Sequence, residues 1–195
     1  MRICDLTLAY TKTSGGIRRY IDQKRKYLLE HTDHEHILII PGDQDEVERG
    51  RRTVTYHIAS PIAPGCAPYR FFWRPDKIKD AFQESAPEVI ELASFYLCPW
   101  AAFSYRKAQA KLGRRCCVSG YFHTDIVDAY VRSPLRKSFA QGMGKHSSTL
   151  HKLGLKIADA AEAEAEEYFG SIFERLDMIM AATENSKSIN NVRKL

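Results

Sequence analysis

The sequence lacks any apolar run close to the ~20 residues that a helix needs to cross a bilayer. It also lacks internal repeats and low-complexity linkers. Its first residues place Asp5 within an apolar run and offer no small-residue cleavage site, which argues against a signal peptide. With 195 residues, 44% hydrophobic and 27% charged, the composition is typical of one globular domain, and we expect a cytoplasmic protein.

The cysteines are not spaced for metal binding. The five cysteines are an odd number, and Cys116 and Cys117 are neighbours on a predicted strand, where successive side chains point to opposite faces. This arrangement disfavours a disulfide between them. We therefore expect reduced, buried thiols, as in other cytosolic proteins.

Two motifs for phosphate binding are missing as well. Neither the dinucleotide fingerprint G-x-G-x-x-G nor the Walker pattern ending in Gly-Lys-Ser/Thr occurs. The one Asp-x-Asp sequence, Asp43-Gln44-Asp45, follows Pro41-Gly42 in a polar stretch typical of a solvated loop. The residues therefore give no candidate metal site.

The chain does begin with a strand, a pair of glycines and a helix. Arg2 to Ala9 is typical of a buried first strand, and Gly15 and Gly16 follow it before a helix that begins near Ile17. Glycine permits a tight turn and a close approach of backbone to ligand. The free N–H groups and the positive dipole end of the helix would then suit a phosphate. A tight turn without a ligand explains the glycine pair equally well.

Two later strands end in polar residues. One ends at Ser94, and another, starting at Arg115, ends in aromatic residues followed by His123-Thr124-Asp125. Ligands of open α/β sheets bind at the carboxyl ends of the strands, so His123 is predicted to face the same crevice as the glycines. Strands that alternate with helices predict a parallel, doubly wound α/β sheet. The other predicted elements are strands at 36–40 and 53–58 and helices at 17–31, 76–85 and 99–112.

The order of these motifs resembles the N-terminal domain of GT-B glycosyltransferases. The resemblance is to the large retaining, family 4-like group that includes bacterial mannosyl-, glucosyl- and N-acetylglucosaminyltransferases. It rests on Gly15-Gly16, on Pro87-Glu88-Val89-Ile90, on the strand before His123-Thr124-Asp125, and on a final strand from Leu176 to Asn185. It implies a single Rossmann-like, acceptor-side domain over residues 1–195, the N-terminal half of a GT-B fold.

The resemblance implies a reaction and roles for the donor-side residues. The reaction is transfer of a hexose from a nucleotide sugar to an acceptor, with retention and without a metal cofactor. Gly15 and Gly16 would bring backbone amides to the donor diphosphate, with a basic pair contributed by the other domain. His123 would contact the donor sugar and orient it, although a histidine that satisfies strand-end backbone groups is the alternative.

Three further residues are candidates for contacting the acceptor or orienting another group. Asp125 would orient His123 or an acceptor hydroxyl, or would cap the helix that follows. Ser94 lies at a strand end that faces the predicted crevice. Arg18 would face phosphate, or would belong to a solvated basic helix face together with Arg19, Lys24, Arg25 and Lys26.

Residues 132–156 form a strongly basic segment within a chain of net charge +5. The segment is either a solvated insertion or a surface for an anionic acceptor or membrane phospholipid. In the family resembled, this domain commonly carries the acceptor site, and several members act on lipid-linked acceptors. The functional alternative is thus peripheral contact at the inner membrane face. Nucleic acid is not expected, because the basic residues are not interleaved with a recognisable binding motif.

Glu166 and Glu174 have the spacing of the family's acidic signature, with seven residues between them. They occur in an acidic helical run, whereas the signature belongs to a strand-turn-helix in the C-terminal domain. We therefore interpret the spacing as a coincidence.

The largest departure from the family is the length of the chain. A GT-B enzyme has two Rossmann-like domains with the reaction between them, and this chain stops near the end of the first. We expect half of an enzyme, inactive alone, whose donor-binding C-terminal domain is missing or comes from a partner subunit. Two alternatives stay open: a non-catalytic module that binds an acceptor or partner protein, and half of a sugar-nucleotide epimerase, since that group shares the architecture.

Overall fold

The computed structural model of the protein describes residues 1–11, 14–62, 67–122 and 148–181. In these ranges the strands are β1 (Arg2–Leu6), β2 (Glu35–Gly42), β3 (Glu46–Arg49), β4 (Thr53–Ala59), β5 (Val89–Leu92), β6 (Cys117–Phe122) and β7 (Met178–Ala181). The helices are α1 (Gly15–His31), α2 (Pro75–Ser85), α3 (Cys98–Lys111) and α4 (Ser148–Phe173). The strands form one seven-stranded sheet in the order β3-β4-β2-β1-β5-β6-β7.

The sheet is mostly parallel, which confirms the predicted α/β, Rossmann-like class. β1 pairs in parallel with β2 and β5, β2 pairs in parallel with β4, and β5 pairs in parallel with β6. The exception is β3, which was not predicted and pairs antiparallel with β4 at the edge of the sheet. All four of its residues are exposed and three are charged, as expected of an edge strand that must not pair with another chain.

The direction of the connections reverses at β1. The connection from β1 to β2 leads toward the β3 edge, whereas those from β4 to β5 and from β5 to β6 lead toward the β7 edge. Because parallel crossovers are right-handed, α1 lies on one face of the sheet and α2 and α3 lie on the other. This reversal opens a crevice at the carboxyl ends of β1 and β5, where ligands of doubly wound sheets bind.

Apolar side chains pack the helices onto the sheet. Ile21 of α1 forms a buried cluster with Leu38 and Ile40 of β2. On the helices of the other face, Phe82 of α2 is fully buried and its ring lies 5.3 Å from that of Tyr105 of α3. The helical spacing of such residues in the sequence is the reason why these helices were predictable.

The chain divides into two compact units. The first comprises Met1–Tyr121 and Leu176–Met180 and contains most of the sheet with α1, α2 and α3. The second comprises Phe122–Arg175 and Ala181–Leu195, and its described part contains α4. The four cysteines within the described ranges, Cys4, Cys98, Cys116 and Cys117, are free thiols. In those ranges no helix has both the length and the apolar content to cross a membrane.

Candidate functional site

The two glycines form the first turn of α1 rather than the loop before it. The helix begins at Gly15, two residues before the predicted start near Ile17. Apolar spacing locates the first residue that packs on the sheet, and the exposed turn before that residue leaves no such signal. Both glycines are helical and neither has a left-handed φ, so the predicted tight turn at these residues was wrong.

The N-terminus of α1 is nevertheless open to an anion. The first backbone N–H groups of a helix have no partner within the helix, and the side chain of Ser14, the residue before Gly15, forms no capping hydrogen bond here. The first turn contains no acidic residue that would offset the positive end of the dipole. Apart from the adjacent residues and the backbone of α1 itself, a Cβ added to Gly15 or Gly16 would meet no atom of the described residues within 4 Å. This space and these amides suit a phosphate group.

Hydroxyl groups hold the loop between β1 and α1. The backbone N–H of Leu8 donates to Oγ of Ser94 at 2.9 Å, and that of Ala9 donates to Oγ1 of Thr7 at 3.0 Å. Ser94 is buried just after β5, so its hydrogen bond spans the crevice between β1 and β5. The structure thus places Ser94 at the predicted edge and gives its hydroxyl a structural partner there.

Arg18 lies beside a cavity and not simply on a solvated helix face. Its guanidinium carbon is 5.3 Å from the centroid of the Tyr10 ring, and its Nε is 3.6 Å from a carboxylate oxygen of Asp22. The Tyr10 hydroxyl donates to the same carboxyl group at 2.6 Å. A cavity of about 480 Å³ opens next to this group, lined by Tyr10, Thr11, Arg18, Ile40, Pro41, Gly42, Asp43, Gln44, Glu46, His57, Pro68 and Arg70.

The Asp43-Gln44-Asp45 stretch borders this cavity and is held by arginines. Arg70 pairs with Asp43 and donates from Nη1 to the carbonyl oxygen of Ser60 at 2.6 Å. Arg74 pairs with Asp45 at 2.9 Å. The hydrogen bond from the Ala59 backbone N–H lowers the pKa of Asp45 from its ordinary value. Both aspartates are thus engaged with cations, and in the described ranges no three His, Cys, Asp or Glu side chains group as metal ligands would.

A cluster of charged side chains is buried between α1 and the sheet, and the sequence did not reveal it. Lys24 Nζ lies 2.5 Å from Oδ1 of Asp5 on β1 and 2.9 Å from Oε1 of Glu91 on β5. Arg25 Nη2 donates to Oγ1 of Thr55 on β4 at 3.1 Å. The prediction that Lys24 and Arg25 belong to a solvated face was therefore wrong. The available signal was an acid inside each of two apolar strands, which requires a buried partner.

The hydrogen bonds of this cluster fix the tautomer of His36 on β2. Arg25 Nε donates to Nδ1 of His36 at 2.8 Å, so the imidazole proton is on Nε2 and is donated to Oδ2 of Asp5 at 2.6 Å. Burial lowers the pKa of His36, against the opposing effect of Asp5, so the ring is neutral.

The two carboxyl groups of the cluster differ in acidity. Burial raises the pKa of Asp5, but the hydrogen bond from His36 and the charge of Lys24 outweigh it and hold the pKa below its ordinary value. Burial and the charge of Asp5 raise the pKa of Glu91, and Lys24 and Tyr20 offset this rise only in part. Glu91 is therefore the carboxylate that accepts a proton first as the pH falls.

His123 and Asp125 lie outside the described residues, as do 132–147 of the basic segment. The described end of β6 does reach α1, because the ring centroids of Tyr121 and Tyr20 are 4.5 Å apart. The predicted proximity of His123 to Gly15 and Gly16 stays a prediction.

Glu166 lies inside the 26-residue helix α4, and Glu174 follows the end of that helix. This helical setting differs from the strand-turn-helix of the family's acidic signature.

Comparison with known proteins gives a family match over most of the chain. The sequence model described as Glycosyltransferase Family 4 matches residues 14–188. No curated protein matches the chain. Among solved structures, the chain is similar to the enoyl reductase domain of MlnA from the macrolactin biosynthesis cluster of Bacillus amyloliquefaciens, with 13% identity and a TM-score of 0.25. That similarity covers 97% of this chain and 56% of the other.

Proposed function

The chain belongs to glycosyltransferase family 4, and we propose that it is the acceptor-side domain of a GT-B enzyme that transfers a hexose from a nucleotide sugar. The observation that carries this proposal is the family match over residues 14–188, which includes α1, β5 and β6. We propose retention of the anomeric configuration, as in the group that the motifs resemble. The acceptor would be a sugar, a polysaccharide or a lipid-linked glycan.

On the donor side, the backbone amides of Gly15 and Gly16 would bind the diphosphate. Negative charge develops on the leaving diphosphate during transfer, and donors already aimed at that position stabilise it. The open first turn of α1, with no acid and with space beside both glycines, supports this role. The remaining positive charge would come from a basic pair in the second domain, without a metal ion.

On the acceptor side, the cavity beside Arg18 is a candidate site. Its lining combines an aromatic ring, two arginines, a histidine and two carboxylates, which provide both donors and acceptors for hydroxyl groups. For a lipid-linked acceptor, residues 132–156 would add a peripheral contact with the inner membrane face. We also propose a cytoplasmic location, because contact with the inner membrane face requires it.

His123 would orient the donor sugar at its anomeric carbon, and Asp125 would orient His123 or an acceptor hydroxyl. This assignment comes from the sequence motif alone. It requires the carboxyl end of β6 to face the crevice, as parallel strands do.

The test is a transfer reaction by a two-domain protein that includes this chain, with UDP- and GDP-sugars as donors. Proton NMR of the product should show the anomeric configuration of the donor sugar, and EDTA should leave the rate unchanged. Inverted product would reject retention, and loss of the rate in EDTA would reject the metal-free mechanism. A Gly16→Val variant that still folds should lose donor affinity, which ties the activity to this domain.

A further inference from the structure

Two positive and two negative side chains lie together beneath α1. The side chains of Asp5 and Glu91 are 1% and 8% exposed, and that of Lys24 is 17% exposed. Arg25 completes the set through its hydrogen bond to His36. Burying charges is costly, and well-packed apolar residues often stabilise a fold as well or better. Stability alone is therefore a weak reason for this arrangement, whereas a defined geometry is a stronger one.

The cluster attaches α1 to four strands at once. Asp5 and Glu91 are register partners on β1 and β5, the two strands that border the crevice, and Lys24 bridges them. Arg25 bonds His36 on β2 and Thr55 on β4. Directional contacts on four neighbouring strands resist both rotation of the helix about its axis and sliding along it, which apolar contacts alone resist less well.

Tyr20 connects the cluster to the end of β6. It lies one turn nearer the N-terminus of α1 than Lys24, and its hydroxyl hydrogen-bonds to Glu91. Its ring packs on Tyr121, and Lys24 Nζ lies 4.9 Å from its centroid. Gly16 precedes Lys24 by eight residues, about 12 Å along the helix. The buried cluster, through Tyr20 and the α1 backbone, thus links the first turn of α1 to the carboxyl end of β6.

We propose that Lys24 and Glu91 are positioning residues that set the rotation and depth of α1, and thereby place the Gly15–Gly16 amides relative to the Tyr121 end of β6. The inference rests on the proposed function, in which those amides bind the donor diphosphate. It makes the geometry of the site depend on the charge of Glu91. Protonation of Glu91 leaves Lys24 with Asp5 as its one carboxylate partner, so α1 shifts toward β1.

The groups that face Glu91 decide how it titrates. Asp5 faces it from β1, and Lys24 and Tyr20 face it from α1. Behind Asp5 lie His36 on β2 and Arg25 on α1, and Tyr121 on β6 lies behind Tyr20. Because burial and Asp5 raise the pKa of Glu91 while that of Asp5 is lowered, Glu91 and not Asp5 changes charge first on acidification.

The experiment is a pH titration of the whole 195-residue chain by NMR, following backbone amides and side-chain carboxyl carbons. In the wild type, the amides of Gly15, Gly16 and Tyr121 should shift with the same midpoint as the Glu91 carboxyl carbon. Glu91→Gln should abolish that titration at all three amides. Lys26→Met, which removes an exposed lysine from the same helix, should behave as the wild type.

A double variant tests Lys24 without leaving an uncompensated buried charge. Lys24→Met combined with Glu91→Gln keeps one buried acid and one buried base, Asp5 and Arg25. Its Gly16 amide should have a chemical shift different from that in the wild type. That shift should no longer change over the pH range in which Glu91 titrates. A Gly16 amide with the wild-type chemical shift in this variant would overturn the positioning role of Lys24.

The wild-type titration alone is decisive for Glu91, even if a variant does not fold. Shifts confined to the surroundings of Lys24 and Glu91, without a response at Gly15, Gly16 and Tyr121, would overturn the inference. Donor binding is measured separately, by calorimetry with UDP- and GDP-sugars on a two-domain protein that contains this chain. An intact titration without donor binding would reject the proposed function and leave the positioning of α1 supported, whereas donor binding without the titration would reject the positioning.

Discussion

A histidine that orients the donor sugar at its anomeric carbon contributes mainly in the transition state. In a complete enzyme that contains this domain, His123→Ala should therefore lower kcat far more than it raises KM. By analogy with the loss of one oxyanion-hole donor, we expect a cost of about 2.7–4 kcal/mol in transition-state stabilisation. Steady-state kinetics with the donor varied would measure both parameters.

Circular dichroism and thermal melts serve as controls for His123→Ala, because a strand-end histidine can also satisfy backbone groups. A folded variant with near-normal kcat would remove His123 from the catalytic residues and leave it a structural role.

Gly16 offers a cleaner substitution, because the protein itself leaves room for a side chain. Beyond the adjacent residues and the helix backbone, no atom of the described part of the chain lies within 4 Å of an added Cβ, so Gly16→Ala should fold normally and gain at most about 1 kcal/mol of stability. Any loss of donor affinity would then come from the ligand meeting the new methyl group, and Gly16→Val should weaken binding further. Calorimetry measures the change in donor affinity, and chemical denaturation measures the change in folding stability.

Gly113 is the matched control for this substitution. It has a φ of 69°, so Gly113→Ala should lose about 1 kcal/mol of stability from backbone strain without changing donor affinity. Equal donor affinity in Gly16→Val and the wild type would show that the diphosphate does not approach this turn.

At the scale of the elements, the attachment of α1 to the sheet makes stability depend on pH. The folded chain keeps His36 neutral, so below its ordinary pKa of about 6.5 the unfolded chain binds more protons at this residue. The free energy of unfolding should therefore fall as the pH drops below that value, by at most about 1.4 kcal/mol per pH unit from this group. Urea unfolding of wild type and His36→Gln between pH 5 and 7.5 measures the difference in slope.

His31→Gln removes an exposed histidine from the same helix and should keep the wild-type slope. Glu91 has the opposite effect on the free energy of unfolding. Because its pKa is raised in the folded chain, the folded chain binds more protons at Glu91 than the unfolded chain does above about pH 4.3, so this contribution to stability falls as the pH rises. Glu91 is present in all three proteins, so it cancels in the comparison. Parallel slopes for wild type and His36→Gln would contradict the buried neutral histidine.

Hydrophobic periodicity was sufficient to predict most of these elements. The strands at 36–40 and 53–58 and the helices at 76–85 and 99–112 were found within one or two residues of their ends. The edge strand β3 escaped because all its residues are exposed, so it has no buried face to produce alternation. The predicted start of α1 was two residues late for the same reason, since Gly15 and Gly16 are exposed.

The buried cluster beneath α1 was not predicted, because the sequence alone does not show whether a charged side chain is buried or solvated. Lys24 and Arg25 stand among Arg18, Arg19 and Lys26, and a run of basic residues on a helix is ordinarily solvated. The side chains that point toward the sheet are set by Asp5 and Glu91. These two acids are distant from α1 in the sequence, and the strand order brings them beneath it. The position of Ser94 at the carboxyl edge was predictable, whereas its bond to Leu8 depends on loop geometry that periodicity does not encode.

At the scale of the whole molecule, the chain should be inactive by itself. In the proposed enzyme the donor is bound between two domains, and this domain contributes the amides of α1 while the other supplies most of the nucleotide and sugar contacts. With few of those contacts, binding of UDP- or GDP-sugars should be weak at most, and the diphosphate charge that develops during transfer would lack its basic partners. Donor hydrolysis and calorimetry without added metal test both expectations.

The same measurement decides between half an enzyme and a complete one. Adding a donor-binding domain, in the same chain or as a separate subunit, should restore transfer, because it supplies the missing contacts without altering α1. Gly16→Val in that reconstituted protein should remain impaired in donor binding, which shows that both halves contribute to one site. Robust turnover by the purified 195-residue chain would contradict the two-domain mechanism and require a complete active site within this chain.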